Sequence, residues 1–459
     1  MPGRVSPGLL REPDFRRLFA STVVSVFGLR ITVLAMPLVA VLALDATEFQ
    51  VGLLFSLNFL AFLLIGLPAG VWVDRLRRRP VLIVCDVSRA CLLLTIPLAW
   101  AADVLTLGQL YAVALLVGAF TVFFDVAYLS YLPQLVGRCR LVEANAKLAS
   151  VDSVSRVAGP GLAGYLIQLL SAPAAIAVNA VALGLSAIFV ARIRRPEDPP
   201  QRSERGNLLG EIWDGLRFLV GHRLLRPIAA CTAIYNLFWS AYAAMLVVFL
   251  ARDLELREGL IGVVFGIFGV GGVLGAMVAR RFASWVGHGP AIWMSMGFAA
   301  PFALLFPLLA RPGPTVWVAA LGQLVVVGGA VVYNVAQASL LQTVTPDHLL
   351  GRTNATMRFL VWGVVPAGGV VGGLLGEWFG TRVTLWTAAI GVAVAFLPVV
   401  RSPLRTMRTL PEPPEPESAE PEPAETEPAG LSAAEPAAAP AGPGEPSPAA
   451  PDVDNQGGR

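Results

Sequence analysis

Lysine is almost absent from this chain. Of its 34 basic side chains only Lys147 is a lysine, and all the others are arginines. A nucleotide-binding Walker A loop needs a glycine-rich turn that leads directly into its lysine, whereas Asn145 and Ala146 precede Lys147. The sequence therefore excludes ATP-driven transport by this subunit alone.

Cysteine and histidine are also scarce. The cysteines have no CxxC spacing and the histidines stand alone between apolar segments, at Cys85, Cys91, Cys139, Cys231, His222, His288 and His348. We therefore expect no disulfide, no metal site and no cofactor. Neither a Ser/His/Asp set nor a pair of carboxylates beside a nucleophile is visible, so the sequence does not indicate an enzyme.

Charged residues make up only 14% of the chain, against 56% hydrophobic residues and a mean hydropathy of +0.68. This composition excludes an ordinary soluble globular protein. A hydrocarbon core of about 30 Å requires roughly 20 helical residues. Twelve apolar stretches of that kind occur, at residues 17–43, 50–73, 80–101, 106–131, 146–171, 173–192, 227–251, 258–282, 289–310, 314–340, 353–377 and 382–401. The first fifteen residues are charged and offer no cleavage site, so we expect no signal peptide.

Arginines are distributed unevenly between the predicted loops. The segments that would share one side of the membrane, including both ends of the chain, hold 24 arginines. The other side holds only Arg252, Arg257, Arg311 and Arg382. Because cytoplasmic flanks are enriched in arginine and lysine, we expect both termini in the cytoplasm and a multi-pass protein of the inner (plasma) membrane.

The longest internal connection divides the spans into six plus six. We expect an N-terminal bundle, a cytoplasmic linker with an amphipathic helix, a C-terminal bundle and a disordered Pro/Glu/Ala-rich tail, at 1–192, 193–226, 227–405 and 406–459. Similarity at an offset near 205 relates the two halves. Repeated bundles that meet at a midplane cavity are typical of secondary transporters. The predicted fold is an all-α integral membrane protein with twelve transmembrane helices in two six-helix bundles.

The clearest motif is GLPAGVWVDRLRRRP at residues 66–80, between spans two and three. Glycines four residues apart allow two membrane helices to approach closely. The motif resembles the cytoplasmic-loop signature Gly-x-x-x-Asp-Arg-x-x-Arg-Arg of the major facilitator superfamily. The matching residues are Gly66, Gly70, Asp74, Arg75 and Arg78. The resemblance implies that they take part in the conformational switch. A weaker second copy has Ala279 in place of the acid.

A second motif lies in span five, at Gly159, Pro160 and Gly164. It resembles the Gly-Pro-x-x-x-Gly element that marks antiporters within this superfamily, which implies exchange transport. A proline bends a helix and glycines create a smooth packing face, so a kinked packing helix is the alternative interpretation.

Longer stretches resemble one branch of the superfamily, the bacterial drug and siderophore exporters that include macrolide-efflux and enterobactin-export proteins. They lie at residues 123–136, 144–160, 331–369 and 402–411. The resemblance implies outward movement of a small amphiphilic molecule, usually driven by proton entry.

Charges inside the predicted spans are candidates for proton coupling, since each costs on the order of 2.5–3.5 kcal/mol at a helix centre unless it is paired or hydrated. They are Arg30, Asp125, Asp152 and Arg156. Asp152 and Arg156 lie four residues apart and can pair along one helix face. Arg30 and Asp125 have no such local partner, so we expect them to pair across spans one and four.

Polar and aromatic residues at helical spacing predict the walls of a substrate cavity. The candidates are Asn58, Tyr235, Asn236, Trp239, Tyr333, Asn334, Gln337, Arg358 and Trp362. Aromatic faces with scattered amides suit bulky, partly apolar ligands. Each residue taken singly is equally compatible with a helix-packing contact.

The sequence thus predicts a proton-coupled exporter of a small amphiphilic molecule, such as a drug, a macrolide-like or a siderophore-like metabolite. An importer or a lipid-like translocator of the same fold is the alternative, and a transport-dead sensor or scaffold is a third. The expected partners are the substrate, protons and the lipid bilayer, with no nucleic acid, and the expected state is a monomer.

Overall fold

The computed structural model describes residues 8–197, 216–217, 219–345 and 347–407. This part of the chain contains twelve long helices and no strand. In chain order they are α1 (Pro13–Ala43), α2 (Glu48–Asp74), α3 (Arg78–Ala101), α4 (Leu107–Val136), α5 (Leu141–Leu170), α6 (Ala172–Ala191), α7 (Leu225–Asp253), α8 (Glu258–Val286), α9 (His288–Leu309), α10 (Thr315–Val344), α11 (Asp347–Phe379) and α12 (Thr381–Val400). Single 3-10 turns occur at Leu9–Arg11, Arg138–Arg140 and Pro403–Arg405.

Two of these helices are interrupted, and proline accounts for both interruptions. In α9 a 3-10 turn at Ala300–Leu304 contains Pro301, which has no backbone N–H to donate within the helix. In α12 the α-helical hydrogen bonding lapses at residues 395–396, just before the turn that contains Pro398. α7 ends differently, in a π-helical turn at Phe249–Asp253.

The twelve predicted spans are confirmed as twelve helices. Eleven of those in the described residues are long and apolar enough to cross a membrane. α5 falls short of that apolar character because Asp152, Arg156 and Gln168 lie along it. Several helices also continue beyond the predicted spans; α11 begins at Asp347 instead of residue 353. Hydropathy marks only the stretch inside the hydrocarbon, and a helix does not have to end where its apolar residues end.

Packing within the first half is repeated in the second. α1 packs on α5 and α6, α2 on α4, and α3 on α4 and α6; in the same way α7 packs on α11 and α12, α8 on α10, and α9 on α10 and α12. All twelve helices belong to one compact unit. The arrangement of two related six-helix bundles is confirmed.

The two halves meet along two helix pairs, α2 with α11 and α5 with α8. Exchanging the halves converts one pair into the other, as a two-fold repeat requires. The contacts are made by small residues: a Cβ on Gly52 would lie 2.5 Å from the Gly369 oxygen, and one on Gly164 would lie 2.8 Å from the Gly262 Cα. Close backbone approach of this kind holds membrane helices together, because lipid provides no hydrophobic drive for helix association.

The short loops fall at two faces of the bundle. We call the side that holds residues 75–77, 137–140 and 192–197 the Arg-rich face, and the side that holds residues 44–47, 102–106 and 254–257 the opposite face. Most of the predicted linker, including the start of its amphipathic helix, and the predicted tail from residue 408 onward lie outside the described residues.

Candidate functional site

A cavity of about 520 Å³ lies between the two halves. Its wall is mainly apolar and aromatic, with Phe55, Phe59, Phe62, Trp239, Phe265 and Phe268. A volume of this size is in the range that holds drug-sized molecules. Two of the predicted wall residues, Asn58 on α2 and Trp239 on α7, line this cavity.

Most of the other predicted wall residues form a polar cluster inside the second half. The Tyr333 hydroxyl lies 2.7 Å from the Thr232 hydroxyl, which also lies 3.3 Å from Gln337 Oε1. Asn236 donates to the Thr232 carbonyl at 2.8 Å, and Tyr235 is buried and stacks on Trp239. The structure therefore assigns these residues to packing behind the wall, and places none of them in the lining.

The remaining predicted wall residues are on α10 and α11. Trp362 stacks on Phe62 and Phe59 of the other half, with ring centroids 4.5 and 5.8 Å apart, and so supports the wall from behind. Asn334 and Arg358 are exposed and do not belong to the cavity lining.

The charged part of the cavity wall differs from the predicted arrangement. Arg30 on α1 donates to Asp152 on α5 at 3.0 Å, and Arg156 donates to the other oxygen of the same carboxylate at 2.8 Å. Arg30 and Arg156 both line the cavity. The expected pairing of Arg30 with Asp125 is therefore wrong, whereas the expected pairing of Asp152 with Arg156 is present. A single carboxylate bridges two arginines.

Gly159 makes this arrangement sterically feasible. A Cβ at Gly159 would lie 2.6 Å from Cγ of Arg30, so the stem of Arg30 crosses α5 where that helix has no side chain. One turn earlier on α5, Ser155 lies 3.5 Å from Nε of Arg30 and is fully buried. Because Gly159 has no side chain, Arg30 can extend across α5 and its guanidinium can reach Asp152.

Asp125 lies on α4, one helical turn beyond the cavity-lining Thr121 and toward the Arg-rich face. Its side chain is exposed, and within the described residues it has neither a hydrogen bond nor an ion pair. The positive charges that act on it are those of Arg89 and Arg358. Asp125 is therefore a carboxylate at the entrance to the cavity, without a fixed partner among these residues.

A buried ion pair in α3 was not identified from the sequence. Asp86, fully buried, accepts from Arg89 at 2.5 Å and from the Ser186 hydroxyl at 2.6 Å. Arg89 also lies over the Phe124 ring, 4.4 Å from its centroid. The signal was an acid and an arginine three residues apart within an apolar span, the spacing that places both on one helix face.

The halves close the cavity at the opposite face. Ser56 on α2 donates to the Pro366 carbonyl on α11 at 2.7 Å. The Thr47 hydroxyl and the Phe49 amide donate to Glu377 at 2.9 and 3.3 Å. Toward the Arg-rich face, in contrast, a Cβ on Gly66 or Gly70 of α2 would meet no described atom within 4 Å, and Arg156, halfway along α5, is 56% exposed. This conformation therefore admits solvent from the Arg-rich face.

The sequence model that describes the Major Facilitator Superfamily as a family matches residues 18–370, which is most of the chain. The chain belongs to the Major Facilitator Superfamily. It is therefore a multi-pass membrane transporter of small molecules and not an enzyme.

Similar proteins include exporters of this superfamily. The chain is 28% identical over 420 residues to the "Multidrug efflux pump Tap" of Mycobacterium tuberculosis, covering 88% of this chain and 96% of that protein. It is 26% identical over 349 residues to the "Enterobactin exporter EntS" of Escherichia coli, covering 75% and 81%. The resemblance to the drug and siderophore exporter branch is confirmed.

Solved structures of the superfamily share the fold. The nucleoside transporter NupG has a TM-score of 0.70 at 14% identity, over 84% of this chain and 99% of that one. A bacterial homologue of the iron transporter ferroportin, in its inward-facing state, has a TM-score of 0.70 at 16% identity, over 86% and 99%.

The superfamily's loop signature is only partly described. In the described part of the chain, a Cβ on Gly66 or Gly70 would meet no atom within 4 Å, so the expected close approach is absent in this conformation. Arg75 is exposed, while the buried Arg78 donates its amide to Glu197. The side chain of Asp74 lies outside the described residues.

The antiporter-like element lies at the contact between the halves. Gly164 faces the α8 backbone at Glu258 and Gly262, and a Cβ on Gly262 would lie 2.4 Å from the Pro160 oxygen. The glycines of this motif therefore permit two contacts on α5: Gly159 leaves room for the side chain of Arg30, and Gly164 lets the backbone of α8 approach closely.

Proposed function

We propose that the chain exports a small amphiphilic molecule by alternating access, with protons moving inward in exchange. The observation that carries the proposal is the aromatic cavity between the halves, closed at the opposite face and hydrated from the Arg-rich face. Arginine-rich loops favour the cytoplasmic side. In that orientation both termini are cytoplasmic, the protein lies in the inner membrane and the cavity loads from the cytoplasm.

The transport cycle requires the halves to separate at one face as they approach at the other. The two symmetric helix pairs, α2 with α11 and α5 with α8, are the contacts that must open at the opposite face. At the Arg-rich face, Gly66 and Gly70 have no close neighbour among the described residues, so this surface is then available for a contact between the halves. All of these elements come from one chain, so the proposed transport unit is a monomer.

Asp125 is the carboxylate that fits proton uptake best. Asp152 is held by two arginines and Asp86 by Arg89 and Ser186, so proton uptake at either carboxylate would have to break these contacts. Asp125 is exposed on the same face of α4 as the cavity lining and has no such partner among the described residues. Proton binding there neutralises a charge at the cavity entrance.

Export is tested with vesicles of both orientations that carry a proton gradient. Inside-out vesicles should take up a fluorescent amphiphile when the chain is present. Ala243→Trp, which places a bulky ring in the cavity wall, should abolish uptake, and Val181→Trp on the exposed surface of α6 should not. Uptake confined to right-side-out vesicles would identify an importer instead. Equal uptake by Ala243→Trp and the parent would show that the cavity does not carry the substrate.

Coupling is tested at Asp125 by separating uphill from downhill movement. Asp125→Asn should lose gradient-driven accumulation and keep the exchange of substrate down its own gradient, because only proton binding is removed. Asp103→Asn, an exposed loop residue at the opposite face, is the matched control and should behave as the parent. If Asp125→Asn accumulates substrate at the normal rate, Asp125 is not the coupling residue.

A further inference from the structure

We infer that the transported amphiphile is an anion: an apolar or aromatic body that bears a carboxylate, sulfonate or phosphate group. This inference rests on the proposed function and adds the charge of the substrate. The observation is an excess of positive charge in the cavity wall. The site of the acidic group is the guanidinium of Arg156, with Arg30 beside it.

The charges that face the cavity do not cancel. Arg30 and Arg156 share the one carboxylate of Asp152, which leaves one unneutralised positive charge. Among the described residues, the other nearby charges leave this excess unchanged. Asp86 and Arg89, the buried pair of α3, neutralise each other. Asp125 and Arg358, outside the lining, contribute one charge of each sign.

The excess charge is accompanied by unused hydrogen-bond donors. Arg156 uses only Nε for Asp152, so within the described residues both of its terminal nitrogens remain without an acceptor. Arg30 uses Nη2 for Asp152 and Nε for Ser155, which leaves Nη1. A guanidinium presents its donors as a planar fork that matches the two oxygens of a carboxylate or the oxygens of a phosphate.

Closure of the cavity makes the excess charge significant. In this conformation water reaches Arg156, which is 56% exposed, and hydrates its charge. When the Arg-rich face closes, a net positive charge surrounded by aromatic side chains becomes costly unless an anion accompanies it. An anionic substrate neutralises the wall, whereas a cationic substrate doubles the uncompensated charge. The phenylalanine-rich wall takes up the apolar body.

The test uses three probes with the same apolar body: 1-pyrenebutyrate, the neutral 1-pyrenebutanamide and the cationic 1-pyrenebutylammonium. Binding is measured by equilibrium dialysis against the full chain in nanodiscs of zwitterionic lipid, with empty nanodiscs subtracted. The parent should bind the carboxylate about tenfold more tightly than the amide, as expected for a charge-assisted pair, and the ammonium most weakly.

Arg156→Gln should bring the affinity for pyrenebutyrate to that of the amide and leave the amide unchanged. Arg156→Lys, which keeps the charge and loses the fork, should retain part of the preference. Arg281→Gln removes an exposed arginine of α8 outside the cavity lining and should change nothing.

Three results would overturn the inference: equal affinity for the three probes, tightest binding of the ammonium, or an equal loss for all probes in Arg156→Gln. These three results do not contradict the export proposal, because export is tested separately, by uptake of the neutral or the cationic pyrene into vesicles. Conversely, the anion preference is measured by binding alone and does not depend on the direction of transport.

Discussion

Gly164 on α5 controls how closely the two halves approach at the opposite face. A Cβ at this position would lie 2.5 Å from the Glu258 oxygen, whereas ordinary Cβ contacts begin at 3.4 Å. The Glu258 oxygen and the Cα of Gly164 both belong to helix backbones and cannot move aside as a side chain can. Gly164→Ala therefore forces α5 and α8 about 1 Å apart, and overpacking of this kind costs typically 1–3 kcal/mol. The other access state separates these helices and avoids that cost. The equilibrium should therefore shift by about 5–150-fold toward opening at the opposite face.

A cysteine in the cavity wall measures this shift. In a background with Cys91→Ser and Cys139→Ser, which removes the two exposed thiols, Ala243→Cys is labelled with a membrane-impermeant maleimide. The parent should be labelled from the Arg-rich face only. Gly164→Ala should add strong labelling from the opposite face, seen by comparing inside-out with right-side-out vesicles.

Gly161→Ala is the matched control for this experiment. It makes the same substitution three residues away on the same helix, where a Cβ meets no described atom within 4 Å. Any general effect of alanine on α5 therefore appears in both variants. The reasoning is refuted if Gly164→Ala keeps the labelling pattern of the parent, or if Gly161→Ala shifts it equally.

Two further predictions concern charges. Asp86→Asn leaves the buried Arg89 without its carboxylate, and breaking such a pair costs about 3–5 kcal/mol. The temperature midpoint of unfolding in detergent should therefore fall, and the double variant Asp86→Asn, Arg89→Gln should recover part of the loss. An unchanged midpoint in Asp86→Asn would contradict this. Asp74→Asn should keep expression and strongly reduce transport, because the sequence places Asp74 in the superfamily's loop signature. Arg280→Gln, at an exposed position of α8 in the weaker second copy of the motif, is the less sensitive control, and full transport by Asp74→Asn would rule the role out.

The fold was predictable from sequence because its main determinant is one-dimensional. Twenty apolar residues in a row can cross a bilayer only as a helix, and arginine-rich loops alternate with arginine-poor ones. The span of α5 was predicted although Asp152, Arg156 and Gln168 lie along it, because residues 157–167 carry no charge. The helix ends were harder to predict, because residues such as those of α11 before 353 continue the helix outside the hydrocarbon.

The site was predictable only in part, because sequence specifies the depth of a residue along its helix but not which neighbour it faces. Arg30 has acids at comparable depth on two helices, and the expected partner was Asp125. The observed partner is Asp152, since the bare backbone at Gly159 lets the stem of Arg30 cross α5. Tyr333 is similar: its helical spacing with other polar residues predicted a wall, but α10 is rotated so that it meets Thr232 within the second half.

The stacking of Trp362 on Phe62 and Phe59 has an optical consequence. The indole belongs to α11 and both phenyl rings belong to α2, so this aromatic contact joins the two halves. When the halves rock, the environment of this indole changes. The difference in emission between the parent and Trp362→Phe therefore follows the access state of the unlabelled transporter in real time.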